Sequence, residues 1–135
     1  MLGEKVSEIG GKVTGTRVLP GEGGGLSIEV SFAGQGKMLG VGTTEMGTYL
    51  SVMRPSGTLH GEGQGMTMSA EGDMAAWKGF GVGRPTGKGM AATYRYAVSY
   101  QTTSTKWARL NGCVLVGEWE VDENGNTTGA AWEWK

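Results

Sequence analysis

The chain has one cysteine, three prolines and one histidine, no excess of either charge and no long apolar run. A single thiol, Cys113, excludes an internal disulfide framework and any structural zinc site that needs several thiolates. Twelve basic against thirteen acidic side chains leave a formal net charge of -1, so no electrostatic footprint marks nucleic acid or an acidic membrane as a partner. The stretch Met1 to Val13 carries acidic residues and glycines where a signal peptide needs an apolar core. No segment approaches the roughly 18 apolar residues of a membrane-spanning helix. The expectation is a soluble cytoplasmic chain forming one domain over residues 1–135, with no nucleic-acid or membrane partner, no metal and no cofactor.

What is abundant is glycine, 27 of 135 residues, against an average usage of about 7%. Without proline enrichment, a Gly-X-Y period or high net charge, collagen and disorder are poor explanations, and five tryptophans argue for a packed core. Turn signals recur at the spacing of an all-β domain, and almost nothing between them has a helical period. The pattern predicts eight strands near residues 8–19, 25–36, 41–54, 58–69, 73–84, 88–101, 113–123 and 126–134. Short connections imply an antiparallel meander. One short helical segment, Ser104 to Gly112, is predicted before the last hairpin. Ser104 or Thr105 would cap it, Asn111-Gly112 would supply a left-handed stop, and Trp107 and Leu110 would be buried as a plug or corner.

Three loops share one design: Pro55-Ser56-Gly57, Ala70-Glu71-Gly72 and Pro85-Thr86-Gly87. Each fits a type I turn followed by a left-handed glycine, which sets register by pairing Arg54 with Thr58, Ser69 with Asp73 and Arg84 with Lys88. Even-numbered residues of strands three to six then share a face, including Leu50, His60, Glu62, Gln64, Lys78, Phe80, Tyr94 and Tyr96. The odd face of the fourth and fifth strands is nearly bare, with Gly61, Gly63 and Gly65 opposite Gly79, Gly81 and Gly83. In the last hairpin a two-residue Asn124-Gly125 turn pairs Glu123 with Asn126 and aligns Cys113, Leu115, Trp119 and Val121 with Thr128, Ala130, Trp132 and Trp134. A slip of one residue in any loop would exchange the two faces.

Eight such strands could stack as a sandwich or close as a barrel. Glycines on successive strands favour a closed β-barrel, because strong coiling needs positions where backbones bend or approach closely.

The eight-strand meander, the glycine-alternating stretches "HGEGQG" and "GFGVG", and the segment "KWARLNG" leading into the last hairpin resemble the small antiparallel barrels of the allene oxide cyclase-like and avidin-like, calycin-type group. The resemblance implies small hydrophobic molecules held in the lumen, cyclase or isomerase activity in a few members, and frequent oligomers. It transfers no catalytic residue to this chain.

With the even face as lumen, Leu50, Phe80, Tyr94 and Tyr96 form walls, while His60, Glu62, Gln64 and Lys78 orient a polar group. A mostly apolar pocket with a few convergent polar groups is the usual form of a small-molecule site. Glu62 would pair diagonally with Lys78, or take up a proton among apolar neighbours. The leading expectation is therefore binding of a small hydrophobic or amphipathic molecule. The alternatives are an isomerase or cyclase using Glu62 or His60 as acid-base group, and a structural or protein-interaction module without a ligand.

Strand-interior glycines cost about 0.5–1 kcal/mol each relative to alanine, so something must offset the bare face. Either large side chains such as Trp77 and Tyr49 lie across it, or another subunit does, and a homo-oligomer is expected. "GVGRPTGKG" is not a P-loop: Gly81 to Gly87 is one residue too long, and Gly89 stands where Ser or Thr must bind magnesium. "DENGNTTGAAWE" has Thr127 where a calcium loop needs glycine and reads better as a hairpin. Asn126-Thr127-Thr128 is a sequon without a sign of secretion, and Cys113 reads as packing rather than as a nucleophile.

Overall fold

In the computed structural model, which describes residues 1–21 and 25–135, eight antiparallel strands follow one another around a closed barrel. They are β1 Leu2–Pro20, β2 Leu26–Met38, β3 Val41–Met53, β4 Leu59–Ser69, β5 Met74–Pro85, β6 Ala92–Thr102, β7 Val114–Val121 and β8 Asn126–Trp134, with a 3-10 turn at Ala108–Gly112 before β7. β1 closes the barrel by pairing with both β2 and β8. Its register shifts between Lys5 and Ser7 and between Val13 and Gly15, irregularities of the kind that bend a long strand around a curved wall.

Two of the loops behave as their sequence predicts. Arg54 N–H donates to Thr58 O and Ser69 N–H to Asp73 O, with Gly57 and Gly72 at φ 85° and 95°. Val52 therefore opposes His60, and His60 opposes Val82. The third loop is longer than predicted: Thr86 N–H donates to Ala91 O, and Arg84 pairs with Thr93 rather than with Lys88. The difference is an odd number of residues, so the even face of β6 joins the odd face of β5.

The last hairpin is one residue off. Asp122 N–H donates to Asn126 O, Gly125 takes φ 81°, and Trp119 pairs with Gly129. The loop is Glu123-Asn124-Gly125, the same three-residue design as Pro55-Ser56-Gly57 and Ala70-Glu71-Gly72. Asp122 secures it by accepting from the backbone N–H groups of Asn124 and Asn126 and from Asn126 Nδ2. Thr127, Gly129 and Ala131 consequently face inward, not Thr128, Ala130, Trp132 and Trp134.

The predicted inner and outer faces of β3, β4 and β5 are exchanged. Met46, Leu50, Phe80 and Val82 are exposed, Phe80 by 64%, whereas Gly47 of β3, Gly65 of β4 and Gly83 of β5 point into the barrel against rings. A Cβ on Gly47 would stand 2.6 Å from Trp77 Cζ2, and one on Gly63 would stand 2.7 Å from Tyr49 Cβ. The physical reason is room: an eight-stranded barrel is barely wide enough for side chains, and large residues fit only beside very small ones. Burying a large apolar side chain yields roughly 1.5–3 kcal/mol, more than the roughly 0.5–1 kcal/mol lost at a strand glycine. Rings of the same chain thus cover the bare face, and the argument that a second subunit must do so no longer applies.

One end of the barrel is plugged. Trp107 and Leu110, both with 0% exposure, pack with Val6, Met38, Ala75, Val98, Leu115 and Ala131. Only Ala108–Gly112 is helical, without a side-chain N-cap. Ser104 Oγ instead donates to Asp73 Oδ1 at 2.7 Å, and Asn111 pins the end of β6 through Thr102. Hydrogen bonds from Ser69 and Ser104 hold the Asp73 carboxyl below its usual range. On the far side of the plug, Arg109 bridges Glu4 at 2.6 Å and Glu133 at 3.1 Å. Cys113 Sγ donates to Glu133 Oε1 at 3.1 Å, so the lone thiol belongs to this tie.

Candidate functional site

Among the described residues, two adjoining cavities lie in the lumen. The outer one, about 230 Å³, opens at the end opposite the plug and is lined by Leu26, Ile28, Val30, Met53, Leu59, Met90 and Val121, among others. The inner one, about 100 Å³, lies among Phe32, Tyr49, Trp77, Tyr94, Tyr96, Tyr100 and Trp119, with Glu45 in its wall. Tyr49 and Tyr94 border both cavities. Their rings meet edge to face at 5.8 Å.

These two rings are held in place by partners from other strands. The Tyr94 hydroxyl lies 2.8 Å from Ser51 Oγ in a hydrogen bond that spans the barrel from β6 to β3. Trp119 Nε1 donates to the Tyr49 hydroxyl at 3.4 Å. Phe32 packs against Trp119 at 4.6 Å and stacks near Trp77 at 6.2 Å. Burial raises the pKa of both phenols, so Tyr49 and Tyr94 stay neutral hydrogen-bonding groups at physiological pH.

Among the described residues, Glu45 is the acid on an inward strand position in this aromatic interior, Glu62 lining it only from an outward one. Its backbone position on β3 opposes Gly34 of β2 and Thr67 of β4, on the inward side of the strand. Burial pushes its carboxyl up to about 7, and the nearby Thr67 and Trp77 side chains pull it back only in part. Neither donor reaches full hydrogen-bonding geometry, since Thr67 Oγ1 and Trp77 Nε1 are both buried without a partner. No cation pairs with Glu45 among the described residues. Tyr96 and Tyr100 face it, and burial raises both phenols.

The residues expected from the sequence separate into two groups. Tyr94 and Tyr96 line the inner cavity as expected. Leu50, His60, Glu62, Gln64, Lys78 and Phe80 are neighbours as predicted, with Glu62 between Leu50 and Phe80, and Gln64 opposite Lys78. Their side chains stand on the outer surface, because the even positions of β3 to β5 face solvent. Glu62 and Phe80 border the cavity only at positions whose inward neighbours are glycines. No Glu62–Lys78 ion pair forms among the described residues, and His60 and Glu62 do not enter the lumen as an acid-base pair.

Glu45, Phe32, Tyr49, Trp77, Tyr100 and Trp119 were not singled out as site residues. The signal for three of them lay in the odd-position series Glu45-Gly47-Tyr49-Ser51 and in Trp77 beside Gly79 and Gly81. It becomes legible once the bare face is recognised as the inner one.

No family model and no curated protein sequence matches the chain. Solved structures share the fold, among them these three. A conserved protein of unknown function from Rhodopseudomonas palustris superposes with a TM-score of 0.81 at 13% identity, covering 99% of each chain. A protein of unknown function from Clostridium acetobutylicum gives 0.82 at 14% identity over 98% of each chain. A beta-barrel like protein from Acinetobacter baumannii gives 0.82 at 13% identity, covering 100% of this chain and 96% of that one. At such identities the likeness is one of fold: a closed eight-stranded antiparallel barrel.

Proposed function

We propose that the barrel binds a small, predominantly hydrophobic molecule in its lumen. The observation that carries this reading is the pair of adjoining cavities that share Tyr49 and Tyr94 in their walls, an apolar outer chamber beside an aromatic inner one, with the Trp107 plug at the far end. An engineered apolar cavity of about 150 Å³ takes up benzene, so these chambers are of a size for a ligand of one ring with short substituents. The resemblance to allene oxide cyclase-like and avidin-like barrels supports the same reading. The lone unpaired cysteine is compatible with a cytoplasmic setting.

Titration with p-xylene, followed by ligand-observed NMR, tests it. Binding should be lost or strongly altered in Tyr94→Ala, whose ring separates the chambers, and unchanged in Glu118→Ala on the outer surface. Equal binding by both variants and the parent would overturn the lumen as the site.

A second reading, proton-transfer catalysis of the isomerase or cyclase type, is favoured by one observation. Glu45 is a carboxyl raised to about 7 inside an apolar cavity, the condition for a general acid or base near neutral pH. It replaces Glu62 and His60 in that role. A homo-oligomer belongs to the proposal only through the exposed apolar side chains Met46, Leu50, Phe80 and Val82. A mass near 14.1 kDa in light scattering would remove it.

A further inference from the structure

The inner chamber is unusual in its chemistry as well as its shape. Seven aromatic rings, from Phe32, Tyr49, Trp77, Tyr94, Tyr96, Tyr100 and Trp119, surround a space that the Glu45 carboxyl group enters without a counter-charge among the described residues. Ring faces carry negative potential, and a cation over Trp, Tyr or Phe is attracted to them, the more so when desolvated. A carboxylate in the same wall adds a charge-assisted hydrogen-bond acceptor. Thr67 Oγ1, buried and unpartnered, supplies a second acceptor beside it. The carboxyl, the Thr67 hydroxyl and the ring faces of this end of the lumen favour positive charge, the unpartnered Trp77 Nε1 donor excepted, and among the described residues no lysine, arginine or histidine borders the inner chamber.

The geometry points to an organic ammonium as the ligand: a protonated amine seated on Glu45 within the aromatic rings, with its apolar body extending past Tyr49 and Tyr94 into the outer chamber. This assignment rests on the lumen being the binding site and names the chemical class the lumen selects. It also explains how an isolated acid is tolerated there. Without ligand, Glu45 holds its proton below about pH 7. Below that pH an ammonium that binds draws out the carboxylate, and up to one proton leaves to solvent for each cation taken up.

The titratable groups facing Glu45 are Tyr96 and Tyr100 from β6, both neutral over the working range. β2, β4 and β5 contribute Gly34, Thr67 and Trp77, none of which titrates there. The pH dependence of cation binding therefore reports Glu45 alone.

Calorimetric titration of the full chain with benzylamine, benzyl alcohol and benzoate tests the assignment, since the three are similar in size and differ in charge. At pH 8 the ammonium should bind at least ten-fold more tightly than the alcohol, and benzoate should bind least. Glu45→Gln should erase the advantage of the amine while leaving the alcohol. In the unmodified protein, affinity for the amine should fall about ten-fold for each pH unit below about 7, a readout that needs no variant. Equal binding of the three ligands, an advantage that survives Glu45→Gln, or a flat pH profile would overturn the cation assignment while leaving the lumen reading intact. Failure of all three to bind would overturn both.

Discussion

The hydroxyl of Tyr94 and the Oγ of Ser51 meet at 2.8 Å across the interior, joining β6 to β3, strands that share no edge of the sheet. The bond fixes the ring that divides the lumen. Tyr94→Phe removes the hydroxyl and leaves Ser51 Oγ buried without that partner. Unfolding in urea should show a loss of about 1 kcal/mol with an unchanged slope. A loss indistinguishable from zero would mean that the bond does not order the ring.

The inward glycines carry a sharper expectation. A side chain on Gly65 would collide with the Trp77 indole and with Met46 O, whereas Phe80 on the adjacent strand is exposed. Gly65→Val should destabilise the barrel by about 1–3 kcal/mol or prevent folding. Phe80→Ser should stay within about 0.5 kcal/mol of the parent. The opposite ranking would place the glycine face outside.

Glu45 makes stability depend on pH in a defined direction. Its carboxyl is raised from 4.5 to about 7 on folding, so between these values the folded protein holds a proton that the unfolded chain has released. Stability contributed by the neutral carboxyl is then greatest below about pH 4.5, declines as pH rises to about 7, and is constant above it. Relative to the parent, Glu45→Gln should gain stability at pH 8 over pH 4.5, by on the order of 3 kcal/mol. Parallel pH profiles for the two proteins would show that Glu45 is not buried.

The plug should matter more through its apolar core than through its ion pairs. Trp107→Ala removes a ring with no exposure and should cost about 3–5 kcal/mol. Arg109→Ala breaks bridges whose members are partly or largely exposed and should cost about 1 kcal/mol or less. Thermal unfolding of the two variants side by side gives the comparison.

Much of the fold is legible locally. The strands, the closure into a barrel, the plug residues Trp107 and Leu110, and the pairing of β3 with β4 and β4 with β5 follow from alternation and from turns whose glycine takes positive φ. In Ser104–Gly112 only the second half is helical, because Ser104 is drawn to Asp73, 31 residues away. The β5–β6 loop hides its length for a similar reason. Pro85-Thr86-Gly87 reads like its shorter counterparts, yet the chain runs to Ala91 before pairing resumes.

What the amino-acid sequence by itself determined is the alternation: which residues share a face on each strand, and which of those faces are bare. Which face is inner was decided only by closure. A single sheet could turn either side to solvent, but a narrow barrel must fit Phe32, Tyr49, Trp77, Tyr94, Tyr96, Tyr100 and Trp119, brought from five strands, into one interior. That volume exists only where the facing positions are glycine. The same closure carries Glu45 into the lumen and leaves His60, Glu62 and Gln64 outside.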